Sequence, residues 1–400
     1  MLSKSIQDLM KNSSAIRQMF LEAQELAARI GAENVCDFSL GNPVAPVPRA
    51  FSQALVHLVE TQDSLSLHGY MNNAGFPDVR RSVAENLNRR FGTAFTEEHI
   101  IMTVGAAGAL NIALKSILDA GDEVAVLRPY FGEYRSYAAN WGGKVVEVDP
   151  LVPSFLPDLA DLARKISPRT KALIINNPNN PTGVVYDAGT LAGIAAVLRA
   201  KQAQYGHEIC LISDEPYREI TYDGVQVPFI TQFYENTLVG YSFSKSLSVP
   251  GERIGYLAVN PAMAGAAEMA AALAVANRVV GFVNAPSLLQ KAVTQCLDEP
   301  CDVAFYDRNR RLLTENLRAM GYSFVQPQGA FYLFLQSPAA DEHEFMAAAK
   351  ARGIVLVAGS TFGWPGYMRL AYCVQPAVVE KSLPVFARLA EQFGLKPRNG

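Results

Sequence analysis

Short apolar segments alternate with helical and loop segments through the middle of the chain, and this alternation constrains the fold more than any other feature of the sequence. Strand-length apolar runs are found at residues 100–104, 123–127, 171–176, 208–214, 237–241 and 256–260. Stretches with the spacing of amphipathic helices, or loops rich in Gly, Pro and Asn, separate these runs. Strands that alternate with helices build one sheet covered on both faces. The pattern therefore predicts an α/β, doubly wound domain at residues 46–285.

The pattern changes to α+β after residue 285. Strands are predicted at about 322–325, 329–335, 353–357 and 367–372. Helices are predicted at 287–297, 302–320, 342–352 and 376–393, and the first residues, 4–31, have the periodicity of one or two amphipathic helices. We therefore expect a second, smaller α+β domain at residues 286–400.

Composition and charge exclude several classes of function. Half of the 400 residues are hydrophobic, which suffices for a large core, and the net charge of −3 gives no general attraction to nucleic acid or acidic membranes. No apolar run has the length of a signal-peptide core or of a membrane span, so we expect no membrane partner. The scattered cysteines and histidines predict reduced thiols, a cytoplasmic location and no metal site. The cysteines are Cys36, Cys210, Cys296, Cys301 and Cys373.

Lys245 lies in a segment of small and hydroxyl-bearing residues directly after the apolar run 237–241. The segment is Ser242-Phe-Ser-Lys-Ser-Leu-Ser-Val-Pro-Gly-Glu-Arg-Ile-Gly255. Small neighbours leave the Lys245 amine room to react with a bulky molecule, and Arg253 offers a planar set of donors to a phosphate. The serine hydroxyls can donate to the same anion. A phosphorylated aldehyde cofactor needs both features, because a lysine forms the imine and an anion site holds the phosphate.

This spacing of serine, lysine and Gly-x-Arg-x-Gly resembles the lysine motif of the class I and II aminotransferases, fold-type I enzymes that use pyridoxal 5'-phosphate (PLP). Further matches extend from Gly41 to Arg369, so the resemblance covers nearly the whole chain. It implies that Lys245 forms an imine with PLP and that Ser242, Ser244 and Arg253 hold the phosphate. It also implies that residues 46–285 form the large PLP-binding domain and that residues 1–45 join residues 286–400 in the small domain.

A second anion site is predicted where the run 100–104 meets the next helix. Gly105-Ala-Ala-Gly-Ala109 directs free backbone N–H groups and a helix N-terminus at a phosphate. It is neither a dinucleotide-binding glycine motif nor a P-loop. By the resemblance, Gly105, Ala106 and Ala107 contact the phosphate through the backbone. Phe131, with Tyr130 as the alternative, lies flat on the cofactor ring.

The resemblance assigns three more residues to the cofactor ring. The string Asn-Pro-Asn-Asn-Pro-Thr-Gly ends at Gly183, and its last asparagine, Asn180, donates to the 3'-oxygen of the pyridine. Tyr217 holds the same oxygen. Asp214 follows an apolar strand and pairs with the protonated ring nitrogen, where a carboxylate raises the pKa of the pyridinium and makes the ring an electron sink.

Substrate contacts are also implied by the resemblance. Arg369 is a charge within an apolar strand and would clamp the α-carboxylate, with Gly41 and Asn180 beside it. Tyr70 precedes Gly75 in a loop that in the family reaches the phosphate of the neighbouring subunit. The resemblance therefore implies a homodimer with the active site at the subunit interface.

The implied reaction is transfer of an amino group between an amino acid and a 2-oxo acid, with Lys245, Asp214 and Tyr217 as catalytic residues. Lys245 would serve as the general base. Arg278, or Arg17, is a candidate cation for a distal carboxylate, which favours aspartate or glutamate as the substrate. Three alternatives stay open: a PLP-dependent C–S lyase, an aminotransferase for aromatic or apolar amino acids, and a non-catalytic protein, either a PLP-binding regulator or an inactive interaction protein. A regulator would need a DNA-binding segment, and we see no basic helix-turn-helix before residue 40.

Overall fold

The computed structural model describes residues 1–11 and 15–397, except the side chains of residues 5, 8, 9, 11 and 15–17. The side chain of Arg17, one of the two candidate cations, therefore lies outside the described residues. No helix in the described ranges is long and apolar enough to span a membrane.

Strands in the described residues are, in chain order, β1 (Cys36–Asp37), β2 (Ile100–Thr103), β3 (Glu123–Leu127), β4 (Lys144–Val148), β5 (Pro150–Leu151), β6 (Leu156–Pro157), β7 (Thr170–Asn176), β8 (Cys210–Asp214), β9 (Thr237–Ser242), β10 (Gly255–Val259), β11 (Tyr332–Gln336), β12 (Ile354–Val355), β13 (Val357–Ala358) and β14 (Tyr367–Ala371).

The α-helices of the same residues are α1 (Lys4–Lys11), α2 (Ala15–Ile30), α3 (Arg49–Thr61), α4 (Ser64–His68), α5 (Pro77–Phe91), α6 (Gly105–Ile117), α7 (Glu133–Ala139), α8 (Leu159–Lys165), α9 (Ala188–Tyr205), α10 (Phe243–Ser246), α11 (Ala266–Val279), α12 (Ser287–Thr294), α13 (Val303–Ala319), α14 (Glu342–Lys350) and α15 (Pro376–Gln392).

The central feature is a mixed sheet with the strand order β2-β10-β9-β8-β7-β3-β4. Strand β10 is antiparallel to both of its neighbours, β2 and β9, while β9, β8, β7, β3 and β4 are mutually parallel. The predicted α/β fold with a large doubly wound sheet is therefore confirmed, and each apolar run chosen from the sequence contributes a strand.

Alternate residues of β7 explain why helices cover both faces of this sheet. Leu173 and Ile175 belong to a buried cluster that includes Leu191 and Ile194 of α9. Ala172 and Ile174 belong to another cluster, which includes Leu110 and Ile112 of α6. Successive side chains of a strand point to opposite faces, so a strand that is apolar throughout needs a helical layer on each side.

A second, smaller sheet has the strand order β11-β14-β13 and is antiparallel. Strand β1 pairs in parallel with β12, which brings residues near the start of the chain to this region. Both arrangements agree with α+β structure beyond residue 285. The division into residues 1–45, 46–285 and 286–400 stays a prediction.

The predicted strand at residues 322–325 is wrong. A single bridge joins Phe324 to Leu335, and the chain then leaves the edge of β11. The backbone N–H groups of Gln328 and Gly329 both donate to the carbonyl oxygen of Gly183, at 2.8 and 2.9 Å. These donors after the bridge are therefore used by a loop of the large sheet. Before the bridge, the backbone N–H of Tyr322 donates to the carbonyl oxygen of Leu317 in α13 at 3.0 Å, so the ladder with β11 extends in neither direction.

We predict that Gly255→Ala lowers the free energy of unfolding by about 1–3 kcal/mol, the usual effect of overpacking. A Cβ on Gly255 would overlap the carbonyl oxygen of Tyr241 on β9 and would lie 3.1 Å from the Cα of Gly105. Urea unfolding of the variant measures this loss. Gly251→Ala is the matched control, since a Cβ there meets no atom within 4 Å. Equal stability of the two variants would show that the sheet does not need this close approach.

Candidate active site

One cavity of about 570 Å³ lies where the parallel strands of the large sheet end. Asn176, Asp214 and Ser242 are the last residues of β7, β8 and β9, and all three line it. The cavity brings together most of the site residues predicted from the sequence: Gly41, Ala106, Ala107, Phe131, Asn180, Asp214, Tyr217, Ser242, Ser244, Lys245, Arg253 and Arg369. Gly105 lies directly behind them, next to Arg253.

Lys245 projects into this cavity from the short helix α10. The hydroxyl of Ser242 caps the helix by accepting from the backbone N–H of Ser244 at 3.2 Å. The amine of Lys245 donates to the carbonyl oxygen of Gly41 at 2.6 Å. Burial, with smaller contributions from the charges of Arg369 and Arg253, lowers the pKa of the amine to about 8. A substantial fraction of this amine is therefore neutral near pH 7–8, as a base or nucleophile requires.

Asp214 is buried at the end of β8 with one oxygen held and one free. Its Oδ2 accepts from the hydroxyl of Tyr134 at 2.6 Å, and its Oδ1 has no hydrogen-bond partner among the described residues. Burial raises the pKa of this carboxyl to about 7. An oxygen that faces a cavity without a donor is suited to a protonated ring nitrogen.

Tyr134 was not predicted as a site residue. It follows Phe131 by three residues, and its backbone N–H donates to the carbonyl oxygen of Phe131 at 3.0 Å in a turn that leads into α7, so the two ring centroids are 5.7 Å apart. Helical spacing could have paired the two residues, but the contact with Asp214 spans 80 positions and leaves no local signal.

A cluster of donors occupies the other end of the cavity. The hydroxyls of Ser242 and Ser244 are 2.7 Å apart, and the guanidinium of Arg253 makes hydrogen bonds only to the carbonyl oxygens of Pro250 and Val104 among the described residues. A Cβ on Gly105 would lie 2.8 Å from Nη2 of Arg253. A glycine is thus needed where the N-terminus of α6 approaches this arginine. Hydroxyls, a guanidinium and a helix N-terminus are together suited to binding an anion.

Arg369 lies within β14 and is fully buried. It donates to Oδ1 of Asn180 at 3.1 Å and to the carbonyl oxygen of Ser39 at 2.6 Å, while its Nε has no partner among the described residues. No carboxylate in the described ranges forms an ion pair with it, and burial lowers its pKa. A structural ion pair, the ordinary explanation of a buried arginine, is therefore absent from the described part of the chain, and the cation is available to an anionic ligand.

Tyr332 is the second residue that sequence reasoning missed. Its hydroxyl lies 2.7 Å from the hydroxyl of Tyr217, and its ring lies against the guanidinium of Arg369, 4.6 Å from the centroid. A Cβ on Gly41 would overlap this hydroxyl and lie 2.9 Å from Cζ of Tyr332. Gly41 is thus a glycine because Tyr332 occupies the space of a side chain. The residue sits in an apolar strand, where a tyrosine gives no signal of function.

Several predicted residues do not line the cavity. Tyr70 is 93% exposed, and Arg278 is exposed at the end of α11. Tyr130, the alternative to Phe131, is buried elsewhere and donates to Glu147 at 2.6 Å, so the stacking role can belong only to Phe131 of the two. Phe20, Leu40, Leu110, Glu133 and Tyr137 line the cavity and were not predicted. No cluster of potential metal ligands exists among the described residues.

The raised pKa of Asp214 predicts how the free energy of unfolding of the cofactor-free protein depends on pH. Its folded-state pKa of about 7 exceeds the ordinary value of 3.8, so stability present below about pH 4 is lost as the pH rises through 7. At about pH 8, Asp214→Asn should therefore be more stable than the wild type, by up to about 4 kcal/mol. The difference should shrink towards about pH 4. Urea unfolding at the two pH values measures this difference in stability. If Asp214→Asn is less stable than the wild type at both pH values, burial of the Asp214 carboxylate does not carry the free-energy cost that we assign to it.

The comparisons with known proteins agree with this geometry. The chain matches the family of class I and II aminotransferases over residues 32–385. An aspartate/prephenate aminotransferase of Thermus thermophilus is 35% identical over 327 residues, which are 80% of this chain and 83% of that protein. Aromatic-amino-acid aminotransferase 2 of Thermococcus litoralis is 30% identical over 391 residues, 94% of this chain and 95% of that protein.

Two solved structures have the same fold over almost the whole chain. The crystal structure of an amino transferase from Eubacterium rectale is 41% identical, with a TM-score of 0.95 over 98% of this chain and 99% of that one. Aspartate aminotransferase from Thermus thermophilus with maleate is 31% identical, with a TM-score of 0.87 over 97% of this chain and 99% of that one. The chain therefore belongs to the class I and II aminotransferases, the pyridoxal phosphate-dependent transferases of fold type I.

Proposed function

We propose that this aminotransferase transfers the amino group of aspartate or glutamate to 2-oxoglutarate or a related 2-oxo acid, with PLP bound at Lys245. The observation that carries the cofactor assignment is a set of three groups that line one cavity. They are the amine of Lys245, whose pKa is lowered, Oδ1 of Asp214, which accepts no hydrogen bond from the described residues, and the guanidinium of Arg369, which has no anionic partner among them. Each matches one part of a complex between PLP and an amino acid.

The donor and acceptor groups of the cavity fit this cofactor. Ser242, Ser244, Arg253 and the N-terminus of α6 would hold the phosphate, and Oδ1 of Asp214 would accept from the ring nitrogen. Asn180 and Tyr217 would donate to the 3'-oxygen. Phe131 would cover one face of the ring.

Bound PLP supplies an aldehyde that condenses with amines and a ring that accepts electrons from the substrate. Arg369 would bind the α-carboxylate of the amino acid and orient its α-carbon towards Lys245. The neutral amine of Lys245 would take the α-proton and deliver it again within the same cavity. Asp214, held by Tyr134, would keep a proton on the ring nitrogen.

The proposal for a dicarboxylic substrate rests on Arg278. Its guanidinium is exposed and makes no hydrogen bond or ion pair with the described residues. Asn277 donates to the carbonyl oxygen of Asn73, and Asn73 donates to that of Val283, so the end of α11 is tied to the loop that carries Tyr70. We propose a homodimer in which this region of each subunit completes the other's site. The exposed side chains of Val275 and Val279 on α11 support an interface there.

An aromatic or apolar substrate is the second candidate, because Phe20, Leu40 and Leu110 line the cavity. The carboxylate of Glu133 also lines it and would repel a distal carboxylate. The relatives do not decide between the candidates, since their names include both aspartate and aromatic amino acids. A C–S lyase stays possible on the same scaffold. The cytoplasmic location stays a prediction.

Lys245 should be the residue that binds PLP covalently. We expect purified protein to be yellow with PLP, and borohydride treatment followed by peptide mass spectrometry should place the label on Lys245. Lys245→Ala should lose turnover and the covalent label, and it should keep part of its affinity for the cofactor, because the phosphate site is intact. Lys144→Ala, a change of an exposed lysine on β4, should behave as the wild type. A label on another lysine would overturn the assignment.

Substrate preference should depend on Arg278. A charge-assisted hydrogen bond contributes about 1.5–3 kcal/mol. Arg278→Ala should therefore lower kcat/KM for aspartate roughly tenfold to hundredfold and leave kcat/KM for phenylalanine nearly unchanged. Arg388→Ala, which removes an exposed arginine of α15, is the control.

The same assays separate the alternatives. Better activity of the wild type with phenylalanine, or no loss of aspartate activity in Arg278→Ala, would refute the dicarboxylate assignment. Release of pyruvate from cysteine or cystathionine without a 2-oxo acid would identify a C–S lyase instead.

A further inference from the structure

Tyr332 contacts two parts of the site that bind different molecules. Its hydroxyl lies 2.7 Å from that of Tyr217, the proposed contact of the cofactor's 3'-oxygen. Its ring lies 4.6 Å from the guanidinium carbon of Arg369, the proposed contact of the substrate carboxylate. The residue is 2% exposed at the start of β11, so packing fixes the ring in this position. One rigid side chain thus joins the cofactor end to the substrate end.

The direction of the hydrogen bond between Tyr332 and Tyr217 is fixed once Tyr217 donates to the cofactor. A tyrosine hydroxyl has a single proton. When Tyr217 donates that proton to the 3'-oxygen, the bond between the two tyrosines requires Tyr332 to donate to Tyr217. A donor to the oxygen of Tyr217 polarises its O–H group and strengthens the hydrogen bond that Tyr217 makes.

The ring end acts on Arg369 in a different way. The guanidinium lies between the ring of Tyr332 and the ring of Phe362, which is 4.9 Å away. Two aromatic faces attract the cation and restrict its plane. The remaining hydrogen bonds, to Asn180 and the carbonyl oxygen of Ser39, fix the rotation of the group within that plane.

We propose that Tyr332 is a positioning residue that strengthens the hydrogen bond of Tyr217 to the cofactor through its hydroxyl and orients Arg369 through its ring. The inference rests on the proposed cofactor and carboxylate sites. It assigns separate functions to the two ends of one side chain, and the two ends can be removed separately.

Few titratable groups surround Tyr332, so its own ionisation does not complicate the test. Burial raises its pKa to about 12, and the charge of Arg369 opposes this rise. The other ionisable neighbours are Tyr217 and Cys373. Burial raises the pKa of the Cys373 thiol to about 12 and that of Tyr217 well above its ordinary value. Near neutral pH, Tyr332, Tyr217 and Cys373 are uncharged and only Arg369 carries a charge.

The hydroxyl is tested with Tyr332→Phe in the PLP-loaded enzyme, by titrating the absorbance of the bound cofactor with pH. The absorbance changes when the nitrogen of the imine between Lys245 and the cofactor loses its proton. In this alkaline form, the 3'-oxygen is negatively charged and no longer has the imine proton beside it. A weaker hydrogen bond from Tyr217 disfavours that alkaline form. We expect the midpoint of the pH titration to rise by roughly half a pH unit, because the hydrogen bond from Tyr217 to the 3'-oxygen is no longer strengthened by Tyr332. KM for the amino acid should change less than about twofold, because the ring against Arg369 remains.

Tyr322→Phe is the matched control. Tyr322 is equally buried and donates its hydroxyl to the carbonyl oxygen of Phe386, away from the cavity. Its midpoint should equal that of the wild type. An unshifted midpoint in Tyr332→Phe, or equal shifts in both variants, would overturn the function assigned to the hydroxyl.

The ring is tested with Tyr332→Leu, which removes the aromatic face as well. KM for the amino acid should rise roughly threefold or more over that of Tyr332→Phe, as expected for loss of a buried cation–π contact. Equal KM values in the two variants would overturn the function assigned to the ring. If wild-type protein shows no absorbance band on addition of PLP, the proposed function itself fails, so the two failures are distinguishable.

Discussion

The register of three neighbouring parallel strands is the interaction on which the site depends. Asn176 of β7 lies opposite Asp214 of β8, and Asp214 lies opposite Gly240 of β9, two residues before Ser242. Parallel strands end at the same edge of a sheet, so this register brings the carboxylate of Asp214 to the place where β9 leads into α10 with its serines and Lys245. A slip of one residue in β8 would turn Asp214 to the opposite face of the sheet.

The site buries charges for which the described chain supplies no counterion. Asp214 and Arg369 are 5% and 1% exposed, and neither forms an ion pair with another described residue. An uncompensated buried charge costs several kcal/mol in free energy. The apolar layers on both faces of the large sheet offset this cost in the unloaded protein. A cofactor and a substrate that neutralised these charges, as proposed above, would stabilise the fold by mass action.

Sequence patterns predicted the fold and most of the residues that line the cavity, because strands, helices and the lysine segment are local features. They failed where contacts join distant positions. Tyr134 reaches Asp214 across 80 residues, and Tyr332 reaches Tyr217 across 115, and neither contact has a local signature. The false strand at 322–325 pairs with β11 only through the bridge from Phe324, because the end of α13 uses the backbone donor before the bridge and the loop at Gly183 uses donors after it. Arg278 and Tyr70 lie outside the cavity, and their predicted roles depend on a second subunit.

The hydrogen bond from Lys245 to the carbonyl oxygen of Gly41 connects positions 204 residues apart. Gly41 follows β1, which pairs with β12, whereas Lys245 follows β9 of the large sheet. The amine therefore fastens the region of the small sheet to the large one. A lysine that forms an imine with an aldehyde no longer has the free amine that makes this link, so the covalent loading proposed for Lys245 would weaken the hydrogen bond to Gly41. The same nitrogen would thus couple the chemical state of the site to how firmly the segment around Gly41 is held against the large sheet.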